Sequence, residues 1–85
     1  MMMQEPQPQQ ILDLRTTKCP LNFVKAKLAL EKLAVGDVIE VWILTSGESA
    51  INIPASMAQE GHAVVMTRDE DGNLRKLWIE KREGV

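Results

Sequence analysis

Residues 37–45 constrain the fold more than any other stretch. Val38, Ile39, Val41 and Ile43 are β-branched and Trp42 is aromatic, the residue types that fit a pleated, half-buried surface. A helical pattern lies on either side of this strand. Upstream, over residues 20–34, Phe23, Ala26, Leu30 and Leu33 recur at spacings of three and four, which makes one apolar helix stripe. Pro20 suits the first helical position, where its missing N–H costs nothing, and Gly36 suits the C-terminal cap. Downstream, residues 49–60 read as a second helix that stops at Gly61. Pro54 falls inside it, so either the helix kinks there or a turn precedes a helix that starts near Pro54.

The remaining segments complete an ordered set. Residues 1–10, MMMQEPQPQQ, have no apolar period and read as a disordered tail. In residues 11–15, Leu12 and Leu14 alternate with Asp13 and Arg15, as in a short half-buried strand. Residues 62–68 and 74–81 read as two strands joined by Asp69-Glu70-Asp71-Gly72-Asn73, a hairpin loop rich in turn formers. The order is β-α-β-α-β-β. Strand–helix–strand steps imply right-handed crossovers and a parallel pair. Two helices cover one sheet face, which gives an α/β fold of the α+β two-layer sandwich type, with a four-stranded mixed sheet and a single domain over residues 11–82.

Several function classes drop out. The chain of 85 residues holds one cysteine, which excludes an internal disulfide, a four-cysteine zinc site and a CxxC redox pair. A formal net charge of −2 argues against direct nucleic-acid binding. No apolar run approaches the ~18 residues that a membrane span needs. The first residues lack the basic and apolar regions of a secretory signal, and a lone free thiol fits the cytoplasm. The acidic loop Asp69-Glu70-Asp71 lacks the further oxygen ligands of an EF-hand and reads as a turn, so no metal and no organic cofactor is expected.

Cys19 is the residue with chemistry to offer. It immediately precedes Pro20 and a helix start, where unsatisfied N–H groups and the positive end of the helix dipole favour a thiolate. Lys18 adjoins it and Arg15 is close in sequence, both adding positive potential. The alternative is a buried cysteine acting as a small hydrophobe. A Cys–His nucleophile pair would have to use His62, the sole histidine, which reads instead as a strand-edge or turn residue. With no second thiol to resolve it, any group loaded on Cys19 must leave to another molecule. That is the logic of a carrier, and a persulfide suits it.

Leu12-Asp13-Leu14-Arg15, Cys19-Pro20, the run KLALEKL over residues 27–33, Gly36-Asp37, Ile53-Pro54 and Gly61-His62 occur in that order. The set resembles the TusA/SirA family of small sulfur-carrier proteins over residues 11–81. The resemblance implies a two-layer β-α-β-α-β-β sandwich, like the C-terminal domain of a bacterial translation initiation factor, with sheet order 1-2-4-3. It implies that Cys19 takes sulfur as a persulfide from a cysteine desulfurase or a rhodanese and passes it to an acceptor protein, in tRNA thiolation, molybdenum-cofactor synthesis or sulfur oxidation. Pro20, Lys18 and Arg15 would support the anion, and Asp13 would organise the loop rather than act as a base. Two positions depart from the family pattern. Asn22 stands where Cys-Pro-x-Pro has its second proline, and Thr16 stands where glycine usually follows the arginine.

Two surfaces remain open. Strand alternation puts Trp42 and Trp78 with charged residues on the sheet face away from the helices. They either shield the sheet or form an exposed patch for a partner or a weak dimer, which would make the chain a non-catalytic binding or regulatory module. Leu21, Val24 and Leu28 form a second stripe on the first helix. They either pack on the second helix or make a docking surface beside Cys19, with Lys25 on its rim. Lys25, Lys27 and Lys32 read as a solvated helix face.

Overall fold

The computed structural model describes residues 7–18 and 21–82. Six elements follow in chain order: β1 (Gln10–Asp13), α1 (Leu21–Glu31), β2 (Val38–Leu44), α2 (Ser49–Gln59), β3 (Ala63–Glu70) and β4 (Leu74–Glu80). They form one four-stranded sheet of order β1-β2-β4-β3. β1 runs parallel to β2, while β2–β4 and β3–β4 are antiparallel. The expected order and the parallel pair are both present. The boundary of the N-terminal tail moves, because Gln10 pairs with Ile39 and the Gln9 N–H donates to the Val38 carbonyl at 2.7 Å. The rest of that stretch, residues 1–6, lies outside the described residues.

The sheet alternation builds the core. Ile39, Val41 and Ile43 of β2 and Leu77 and Ile79 of β4 point to the helix side and are buried. Ala26 and Leu30 of α1 and Ile53 and Met57 of α2 close over them, with Phe23 and Leu33 packed at the margin. The Phe23, Ala26, Leu30, Leu33 stripe is therefore the core face of α1. Helix α2 runs through Pro54 instead of starting there. An internal proline costs ~3 kcal/mol. Ile53 and Met57, fully buried one turn apart, contribute ~1.5–3 kcal/mol each, enough to hold the helix on the sheet.

Two junctions set the ends. Lys81 places its Nζ on the Glu31 and Leu33 carbonyls at 3.2 and 2.6 Å, so a side chain just past β4 satisfies carbonyls that α1 leaves open at its C-terminus. The β3–β4 hairpin is tighter than the sequence suggests, because Asp69 and Glu70 belong to β3 and the loop shrinks to residues 71–73. Gly72 and Asn73 make the reversal with φ of 81° and 61°, a backbone region that glycine and asparagine enter at low cost.

The far sheet face takes the first of the two forms the sequence left open, with the tryptophans shielding the sheet. Trp78 is 1% exposed and Trp42 is half-buried, so the two rings do not make an open apolar patch. Trp78 lies level with Glu40 on one side and Met66 on the other. Trp42 donates its indole N–H to the Glu40 carboxylate. Its ring carries Arg15 at 5.4 Å and Lys76 at 5.1 Å, both within cation–π range.

Candidate functional site

β1 and β2 are parallel, so their carboxyl ends lie at the same edge of the sheet and the loops that follow them meet there. Those loops enclose an open cleft of about 480 Å³. Leu14 to Lys18 form one wall, and Leu44 with Ser46, Gly47 and Glu48 form the other. Both helices begin at this end, α1 after the first loop and α2 after the second, so the positive ends of two helix dipoles share it. The second wall was not picked out from the sequence. The parallel β1–β2 pair is the signal that would have found it, since it fixes which loops are neighbours.

The first wall is held by Asp13. Its carboxylate accepts from the Arg15 guanidinium in a two-pronged pair, 2.9 Å from Nε and 2.7 Å from Nη2, and from the Arg15 backbone N–H at 3.2 Å. The guanidinium hydrogen bond, ahead of the charge itself, holds the Asp13 carboxyl down at about 2. An acid of that strength is a poor proton acceptor near neutral pH. Asp13 is a loop organiser, and Arg15 is turned onto Asp13 and Trp42. Beyond it, the Thr17 N–H donates to the Leu14 carbonyl at 3.1 Å. Thr16 sits in this turn without a positive φ, so a threonine fits where the family pattern has glycine.

Lys18 is exposed on the cleft rim. Cys19 and Pro20 lie outside the described residues. On their far side Asn22 is fully buried, its N–H donating to the Lys18 carbonyl at 3.1 Å. Its Oδ1 accepts from the Phe23 N–H at 2.7 Å, satisfying one of the donors that a helix start leaves open. A proline here could do neither, so Asn22 stabilises the start of α1 by a different device. His62 is not near this edge. It precedes β3, whose first residue is level with Glu80 and through it with Val38, the start of β2. The cleft is at Leu44, the other end of β2, roughly 20 Å away. The His62 Nδ1 accepts from the Arg82 N–H at 3.2 Å.

Two further sequence readings change. The Leu21, Val24, Leu28 stripe does not pack on α2, since the three side chains are 53%, 40% and 50% exposed. Lys27 is not a free solvated charge but pairs with Glu60 at 2.6 Å, bridging α1 to the end of α2. Among the described residues, no three His, Cys, Asp or Glu side chains converge to hold a metal ion. No helix among them is long and apolar enough to cross a membrane.

This sheet order under two helices, with a cleft at the parallel strand ends, defines a small α+β sandwich of the SirA-like type. A SirA-like protein from Desulfitobacterium hafniense superposes with a TM-score of 0.75, covering 88% of this chain and all of that one at 22% identity, a likeness of fold. Residues 10–81 match the family model described as sulfurtransferase TusA, and the chain belongs to that family. Among its relatives, a "putative sulfur carrier protein" of Archaeoglobus fulgidus is 34% identical over 73 residues, 86% of this chain and 82% of that protein. Proteins of the same description match from Neisseria meningitidis serogroup A, at 36% over 61 residues (72% and 81%), and from Bacillus subtilis, at 28% over 71 residues (84% and 92%).

Proposed function

We propose that this protein is a sulfur carrier that relays a persulfide sulfur on Cys19. The observation that carries the reading is the family match across residues 10–81, with the sole cysteine falling next to the cleft-lining Lys18. The Lys18 ammonium and the dipole ends of α1 and α2 favour a thiolate and its persulfide at this edge. Arg15 is charge-balanced by Asp13, so it braces the same wall and the positive potential the sequence reading gave it falls to Lys18. The sulfur donor is a cysteine desulfurase or a rhodanese. The Cys19 thiolate attacks the terminal sulfur of the donor's persulfide, a new S–S bond forms on Cys19, and the donor's cysteine leaves as thiolate. The same exchange in reverse delivers the sulfur to an acceptor protein in tRNA thiolation, molybdenum-cofactor synthesis or sulfur oxidation. We place the relay in the cytoplasm, where a free thiol persists.

The test is intact mass spectrometry after incubation with a cysteine desulfurase and cysteine, and separately with a rhodanese and thiosulfate. A gain of one sulfur atom, reversed by reductant and absent in Cys19→Ser, is the expected result. No gain from either donor, with a Cys19 that alkylates only after unfolding, overturns the reading. The alternative of a binding module on the tryptophan face has lost its main support, because Trp78 is buried and Trp42 lies under two cations.

A further inference from the structure

The outer face of α1 carries an uncovered combination of apolar surface and unbalanced charge. At ~100° per residue, Leu21, Val24, Lys25 and Leu28 fall within an arc of about 100°, and Lys32 follows in the turn just past the helix. Three large aliphatic side chains on the solvent side of an 11-residue helix are unusual, because that side is normally polar. The charge pattern is independent of this. Of the ten lysines and arginines, six sit in ion pairs and a seventh, Lys81, is bound by helix carbonyls. The three with no such partner among the described residues are Lys18, Lys25 and Lys32. Lys18 lies just before α1, Lys25 on it and Lys32 just past its end, in a chain whose formal net charge is −2.

We propose that this face docks a protein partner through an apolar groove rimmed with carboxylates. Leu21, Val24 and Leu28, at i, i+3 and i+7, are the spacing by which a helix seats its anchors in such a groove. Lys25 and Lys32 run along one edge and meet the acidic rim, setting encounter rate and partner choice. A second copy of this chain fits less well. A two-fold interface brings the same patch from both copies together and sets the lysine rows against each other. The partner's identity rests on the carrier reading: it is the enzyme that exchanges sulfur with this chain, since the stripe begins two residues after Cys19.

The test separates docking from chemistry by loading Cys19 in two ways, followed by intact mass. One donor is a protein, a cysteine desulfurase with cysteine or a rhodanese with thiosulfate. The other is glutathione persulfide, which needs no docking surface. Leu28→Asp and Val24→Asp are expected to raise the apparent KM for the protein donor at least tenfold and to leave loading by glutathione persulfide within twofold. Lys25→Glu combined with Lys32→Glu, exposed changes that leave the core intact, is expected to raise the same KM at low salt and lose most of its effect at 0.5 M salt. A KM within twofold of wild type in all variants overturns the proposal. So does a wild-type protein that glutathione persulfide loads and neither enzyme does, an outcome that leaves the carrier chemistry standing. Failure of every donor removes the carrier reading and this partner with it. A dimer in sedimentation that Leu28→Asp dissociates, with KM unchanged, makes the occupant a second copy and also overturns it.

Discussion

Replacing each tryptophan by phenylalanine is expected to reverse the order that burial alone predicts. Trp78 is 1% exposed, while Trp42 is half-buried. An indole exceeds a phenyl ring by roughly 40 Å² of side-chain surface, worth ~1 kcal/mol when buried. The void left behind, roughly 40 Å³ at ~24 cal/mol per Å³, adds about 1 kcal/mol. On packing alone Trp78→Phe therefore costs about 2 kcal/mol. The indole N–H of Trp78, however, is buried and finds no hydrogen-bond partner among the described residues. Its removal recovers a desolvation penalty of ~1–3 kcal/mol, which brings the net change to about zero. Trp42→Phe loses about half the packing. It also takes away the N–H that Glu40, itself 7% exposed, accepts. A hydrogen bond to a charged group is worth ~1.5–3 kcal/mol, so with about 1 kcal/mol of packing the net cost is about 2.5–4 kcal/mol. Urea unfolding followed by far-ultraviolet circular dichroism measures both. Each variant keeps one tryptophan, and its fluorescence reports whether the transition stays single. If Trp78→Phe is the more destabilising by 1 kcal/mol or more, the polar accounting of the far face is wrong.

Three other outcomes follow from the same geometry. The Asp13 carboxyl is held down at about 2, so its stabilisation is fully present above the ordinary value near 3.8 and is lost as pH falls through 2. Carbon-detected NMR titration is expected to find that low value, and Arg15→Ala is expected to return it to near 3.8; an unmoved titration would refute the pair. Asn22→Leu keeps an apolar volume but leaves the Phe23 N–H without its acceptor, and is expected to destabilise by ~1–3 kcal/mol in a denaturant melt. Gly36→Ala meets no neighbouring atom but forces a φ of 96° on a residue with a Cβ; a thermal melt is expected to show a loss of ~1–2 kcal/mol.

Much of this fold is legible in the residues, and the exceptions share a cause. β2 and the core stripe of α1 stand out because β-branching and a three–four spacing are local signals. The parallel β1–β2 pair follows from the handedness of strand–helix–strand crossovers. Helix α1 carries two apolar stripes, and periodicity cannot say which one the sheet will cover. That depends on α2, which lies against one flank and ties to it through Lys27 and Glu60. Trp78 was grouped correctly with the charged face, but alternation assigns a side and not an exposure. The residues level with it, Glu40 and Met66, come from strands 38 and 12 positions away in the chain. Of the site, Asp13, Arg15 and Lys18 were found because they precede the cysteine. The opposite cleft wall was not, because its position depends on the sheet register.

The strand order also governs how the chain meets the ribosome. β2 and β4 are neighbours in the sheet, yet the chain must extend from Val38 to Glu80 before they can pair. At ~5–20 residues per second, that is a delay of roughly 2–8 s. During it Val-Ile-Glu-Val-Trp-Ile-Leu has only the four residues of β1 to lie against, and its other edge is open. Glu40 in the middle of that strand, a charge interrupting an otherwise sticky segment, is then a guard for the nascent chain as much as a partner for Trp42 in the finished one.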